Sequence, residues 1–215
     1  MRGVIAAVLF VGVGVGCTPT SSMTTDAGDP PQGSMLRLGW SANPASVPGS
    51  ASNDVSLASA RFSVHDLRVI GDAGPGDPRT SVKQLELDWH TGETPAVTAF
   101  PMAPLGRYSR VAFEVEGDAA SVAMTGTVVI DGNSPVPYAL TDSGEMVVSV
   151  DIDVELVAGA DTTIVLSADL AKIATSIDYK SLPSLAGTRT LTSLDPQASK
   201  FESEVRAAFS NQSTQ

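Results

Sequence analysis

Few residues of this 215-residue chain have side chains suited to chemistry. His65 and His90 are its two imidazoles and Cys17 its single thiol. Two imidazoles sharing a carboxylate would suit copper or zinc, provided the fold brings them together, which nothing in their spacing requires. His65 lies beside Asp66 on the polar side of its run, and His90 follows Trp89 at the end of another. Asp151, Asp153 and Glu155 alternate with Ile152 and Val154. In an extended chain that alternation puts three carboxylates on one face, about 6–7 Å apart. Such a row offers oxygens to calcium, but it lacks the glycine turn by which a calcium loop curls around its ion. Acidic side chains are also mostly solvated. Trp40 and Trp89 have the surface to stack on a sugar ring, yet each is in phase with apolar neighbours, as core residues are. There is no G-x-S-x-G elbow, no H-E-x-x-H, no C-x-x-C and no glycine-rich phosphate loop. The expectation is a protein that is not an enzyme and needs no cofactor. Capture of a metal by His65, His90, Asp151, Asp153 and Glu155, or of a carbohydrate by Trp40 and Trp89, is the alternative to a plain binding or structural role.

The elements that would position these residues are short runs of period two. Leu36, Leu38 and Trp40 alternate around Arg37 and Gly39, and Ala60, Phe62 and Val64 around Arg61 and Ser63. Leu67 and Val69 continue that run with the phase slipped by one, as a bulge would cause. Leu85, Leu87 and Trp89, then Val111, Phe113 and Val115, then Val148 through Leu156 repeat the pattern. Runs 127–130 and 162–166 are mostly β-branched, and Asp131-Gly132-Asn133 and Gly159-Ala160-Asp161 supply turn chemistry. About eight strands without intervening helices predict an all-β antiparallel two-sheet β-sandwich over residues 35–194. At residues 195–215 the period changes. Pro196 suits a first helical turn, Phe201, Val205 and Phe209 form a stripe at spacing four, and Glu202 faces Arg206. This predicts a short C-terminal α-helix and tail that cover a sheet edge or face.

Composition limits the partners. Asp plus Glu number 24 against 13 Lys plus Arg, a net charge of −11. Such a chain repels phosphate backbones, so no nucleic-acid partner is expected. One cysteine excludes an intrachain disulfide framework. After Met1-Arg2, residues 3–16 (GVIAAVLFVGVGVG) are apolar or glycine throughout. That is too short to span a bilayer, which takes about 20 residues, and it suits the apolar core of a secretion signal. Residues 18–34 are mostly Ser, Thr, Pro, Gly and Asp, a composition that cannot bury enough apolar area to order itself.

The stretch Gly14-Val15-Gly16 before Cys17 resembles the lipobox of bacterial lipoproteins, although that family usually carries Leu where Gly14 stands. The resemblance implies a signal peptide at 1–16 and a cysteine acylated through its sulfur. It also implies a tether at 17–34 and, because Thr18 rather than Asp follows the cysteine, placement at the outer membrane. The membrane is then the partner, through covalent lipid on Cys17, while any protein or glycan ligand stays unidentified. Segments 60–70 (ARFSVHDLRVI), 84–89 (QLELDW), 104–115 (PLGRYSRVAFEV) and 167–179 (SADLAKIATSIDY) follow one another in an order similar to uncharacterised bacterial envelope lipoproteins. Those have a single immunoglobulin- or transthyretin-like β-sandwich. In that pattern Gly106 leads into a strand and Tyr108 anchors its corner by the hydroxyl. A fainter similarity joins the first half to periplasmic copper-handling proteins of the methanobactin gene neighbourhood. Their disulfide cysteines and later Trp and Gly-Tyr segment are absent here, so no ligand carries over.

Overall fold

The computed structural model describes residues 34–212, apart from 73, 75 and 118. The expected signal region, Cys17 and the expected tether up to residue 33 lie outside the described residues. Thirteen strands are present: β1 (Met35–Asn43), β2 (Gly49–Ser50), β3 (Val55–Gly71), β4 (Ser81–Trp89), β5 (Thr98–Phe100), β6 (Gly106–Val115), β7 (Val122–Val128), β8 (Val136–Asp142), β9 (Met146–Leu156), β10 (Asp161–Asp169), β11 (Ser184–Leu185), β12 (Thr188–Leu191) and β13 (Phe209–Asn211). Among the described residues, a single 3-10 turn at Pro78–Thr80 and two α-helices, α1 (Leu170–Thr175) and α2 (Ala198–Ala208), accompany the strands.

The strands form a sandwich of two sheets. The smaller has the order β13-β10-β1-β5, and the larger β11-β12-β8-β7-β3-β6-β9. β2 and β4 lie on the other edge of β3. The all-β class follows from the alternation, since Phe62, Val64, Leu87, Val111, Phe113, Val148 and Val150 all point inward and are buried. The sheets are not purely antiparallel as predicted: β1 runs parallel to β10, and β12 parallel to β8. Parallel neighbours need a crossover, and the chain supplies one by building most of the larger sheet between β1 and β10. Five of the thirteen strands have two to four residues, too short for period two to register. The expected phase slip in β3 is a bulge at Asp66, which takes φ 46 where pairing with β6 jumps from His65 to Arg68.

The C-terminus departs from expectation in a way that matters for the core. α2 begins at Ala198, after a turn in which Asp195 accepts from the Gln197 N–H at 2.9 Å. Phe201 and Val205 are buried on its inner face, and Arg206 meets Glu202 at 3.2 Å. The helix ends before Phe209, which begins β13 and pairs with Ala168 of β10. Its ring meets Phe113 edge-on at 5.1 Å, Phe62 at 5.6 Å and Trp40 at 6.4 Å between centroids. Trp40 and Phe209 belong to the smaller sheet, and Phe62 and Phe113 to the larger. Edge-to-face pairs add about 0.5–1.5 kcal/mol each beyond area burial. α1 and α2 pack on each other and close the end of the sandwich where β10 finishes.

Two predictions follow from this packing. Phe209→Ala should destabilise the protein by about 3–5 kcal/mol, since the void opens where four rings meet. Chemical unfolding of the variant measures it, and a loss under about 1 kcal/mol would refute the bridging role. The second concerns alkaline pH. The rings of Tyr138 and Tyr179 lie 4.9 Å apart between centroids, tilted by 44°. Burial pushes the Tyr138 hydroxyl up to about 12, and burial followed by the neighbouring Tyr138 pushes Tyr179 higher still. Below pH of about 10 folded and unfolded chains both hold these protons. Above it the unfolded chain releases them first, binds fewer protons than the native state, and stability falls as pH rises. The urea midpoint should therefore be level up to pH of about 9.5 and drop toward 12, less steeply in Tyr138→Phe.

Candidate functional site

β3 is the strand around which the larger sheet is organised, and its seventeen residues outrun any single neighbour on one edge. Along that edge β7 pairs with residues 55–62 and β6 with residues 64–71. The exchange happens at Ser63. Its N–H donates to Ser121 O at 2.9 Å, and its C=O accepts from the Glu116 N–H at 3.0 Å. The sheet therefore forks at Ser63, with β6 and β9 on one branch and β7 and β8 on the other.

On the outer face the fork leaves a crevice of ≈ 270 Å³. Its floor comes from period two: Arg61, Ser63 and His65 of β3 point outward because Phe62 and Val64 point inward. β4 presents Gln84 and Glu86 beside them, with His65 opposite Gln84 and Ser63 opposite Glu86. The rim carries Glu116. The Ser63 hydroxyl donates to Glu86 Oε1 at 2.8 Å, although Ser63 is nearly buried. His65 also lies across from Glu114 of β6, and Arg61 across from Asp88 of β4. Donors and acceptors are mixed, the walls are polar, and carboxylates outnumber cations. The volume falls below the usual range for drug-sized ligands, about 300–1,000 Å³, so the crevice suits a group no larger than one sugar ring or one amino acid.

The residues singled out from sequence are dispersed. His65 reaches the crevice. His90 does not: it lies six positions along β4 from Gln84, the partner of His65, which at about 3.3 Å per residue is about 20 Å away. Its ring sits between Asp88, 3.2 Å from Nδ1, and Glu93, 3.3 Å from Nε2. The row of Asp151, Asp153 and Glu155 does share one face of β9, but its neighbour β6 answers it with arginines. Arg107 clasps Asp153 through two hydrogen bonds of 2.7 and 2.8 Å and lies opposite Glu155, while Arg110 stands 3.5 Å from Asp151. The Arg107 hydrogen bonds hold the Asp153 carboxyl below its ordinary range. The charge a calcium ion would supply is already provided by guanidinium groups. Among the described residues, no cluster of three His, Cys, Asp or Glu side chains is placed to hold a metal.

The tryptophans are also corrected. Trp40 is 7% and Trp89 2% exposed, with Trp40 edge-on to Phe113 and Trp89 edge-on to Phe62. Neither offers an open face to a sugar. Tyr108, by contrast, does what its motif implied, its hydroxyl donating to Pro104 O at 2.6 Å. Arg61, Ser63, Gln84, Glu86 and Glu116 were not singled out from sequence. The signal was the polar half of two alternating runs, Arg61-x-Ser63-x-His65 and Gln84-x-Glu86-x-Asp88, which says nothing until the register of β3 on β4 is known.

Among the described residues, no helix is long and apolar enough to cross a membrane. No protein-family model matches the chain, and neither does any curated protein sequence. Among solved structures, MbnP from Methylosinus trichosporium is similar with a TM-score of 0.39 and 15% identity, over 72% of this chain and 81% of that one. That likeness is too distant to transfer a property to this chain.

Proposed function

We propose that this is a lipid-anchored, non-catalytic protein of the bacterial cell envelope, held at the outer membrane through Cys17, which receives a small polar group in the crevice at Ser63. The observation that carries the binding role is the fork itself. A sheet that splits around one residue leaves a polar concavity on its outer face, and β3 and β4 hold Arg61, Ser63, His65, Gln84 and Glu86 in place along it. The lining suits binding better than catalysis. A serine–histidine nucleophile needs the imidazole within hydrogen-bond reach of the hydroxyl, whereas the Ser63 hydroxyl donates to Glu86 and His65 sits two positions along the same strand. The same chemistry favours a ligand carrying hydroxyl or amino groups, able to accept from Arg61 and donate to Glu86 and Glu116.

Two measurements test this reading. Cys17→Ser should move the protein from the membrane fraction to the soluble one, and a variant as membrane-bound as the parent would overturn the anchor. For the crevice, thermal unfolding is followed with amino acids and amino sugars at millimolar concentration. A ligand at 100 times its Kd adds about 2.7 kcal/mol. Glu86→Gln should abolish that gain, and a shift of equal size in parent and variant would place the ligand elsewhere.

A further inference from the structure

The described chain begins at a distinctive place. Ser34 lies at the end of the sandwich opposite the helices, where β1 and β10 start together with Met35 beside Asp161. Its hydroxyl donates to Val157 O at 3.2 Å and accepts from the Gly159 N–H at 2.7 Å. The same pole gathers two turns and a strand start. Ala103 N–H donates to Phe100 O, which leaves Met102 at the tip of a turn. Ala160 N–H donates to Val157 O, closing the turn that follows β9. Gly106 pairs with Leu156, so Leu105 and Val157 adjoin. Met102 is 62%, Val157 49% and Leu105 45% exposed. Seven large apolar side chains are exposed among the described residues, and three of them lie at this pole.

We infer that this pole, with Met102, Leu105 and Val157 at its surface, rests on the bilayer that holds the lipid anchor. The inference rests on the anchoring proposed above and adds an orientation to it. Sixteen residues lie between Cys17 and Ser34. Sixteen residues span at most about 55 Å even when fully extended, so the pole that bears Ser34 is the part of the domain kept nearest the headgroups. Apolar side chains on a turn tip gain by entering the interfacial layer. Charge does not oppose this as strongly as a net −11 suggests. At the pole Asp161 is bonded to Arg37 at 2.9 Å, and Asp153 to Arg107. Asp72 accepts from the Arg107 N–H, and Glu155 lies opposite Arg107.

The test uses the full lipidated chain in vesicles of phosphatidylethanolamine and phosphatidylglycerol, with brominated acyl chains as quencher. Leu105→Trp reports the pole. Leu194→Trp reports the far end, beside Ser193, which bonds Ser143 just before β9 begins. The emission that Leu105→Trp adds over the parent, whose Trp40 and Trp89 are buried, should fall roughly twofold on bromination, as expected for a side chain within about 5–10 Å of the acyl boundary, while the emission that Leu194→Trp adds stays level. Adding Met102→Asp to Leu105→Trp should remove the quenching. Protein that fails to float with the vesicles overturns the anchor, and this orientation with it. Protein that floats with Leu105→Trp unquenched, or with both reporters quenched alike, overturns the orientation alone and leaves the apolar pole to a protein partner.

Discussion

The ring of Phe209 is the contact on which the two-sheet architecture turns. It sits on the last strand of the smaller sheet and reaches Phe62 and Phe113 of the larger, with Trp40 at its flank. Apart from the three-residue β5, the smaller sheet is assembled from the two ends of the domain. β1 opens the domain, β10 comes more than a hundred residues later, and β13 follows the second helix. That sheet cannot close until nearly the whole chain is available, so its stability depends on packing across the sandwich rather than on local turns. A ring that touches three others from both layers supplies that packing at one point.

The larger sheet has a different constraint. β3 is long enough to need two partners on one edge, and at Ser63 one partner replaces the other. Backbone groups there are fully used, since the N–H reaches Ser121 and the C=O receives Glu116. The fork therefore leaves no orphaned main-chain group, which would cost about 1–3 kcal/mol. What it does leave is space on the outer face, where β6 and β7 diverge and polar side chains of β3 and β4 form the floor. The site arises from sheet topology, and its polarity from the ordinary outward half of two alternating strands.

This explains what the sequence disclosed and what it withheld. Period two gave the class and the inward residues, because burial of one face acts on every second residue. The phase slip between Val64 and Leu67 marked the Asp66 bulge for the same reason, and the Gly106-x-Tyr108 pair marked a corner closed by a hydroxyl. Phe209 was misleading because its spacing from Phe201 and Val205 continues a helical stripe, while its partners in β10 are some forty residues away. β8 was silent because Pro137 interrupts a short run whose pairing with β7 decides its fate. The carboxylates of β9 were read correctly as sharing a face. Their neutralisation depended on Arg107 and Arg110 standing across the ladder, a fact of register rather than of composition.

Register also relates the two proposed surfaces. Both lie along β3: the crevice at Ser63, and the pole where Gly71 meets Tyr108. Eight residues at about 3.3 Å put them about 26 Å apart. A domain standing on that pole would lift the crevice clear of the headgroup layer and turn its open face sideways into water. The arginines of β6 fit the same arrangement. By pairing Asp153 and Asp151 along the flank nearest the pole, they reduce the negative field where the domain would meet anionic lipid. The crevice carboxylates, Glu86 and Glu116, lie on the part of the molecule that this orientation would hold away from it. One strand, by its length and bulge, thus separates the apolar pole proposed to face a bilayer from the polar crevice proposed to take a small ligand.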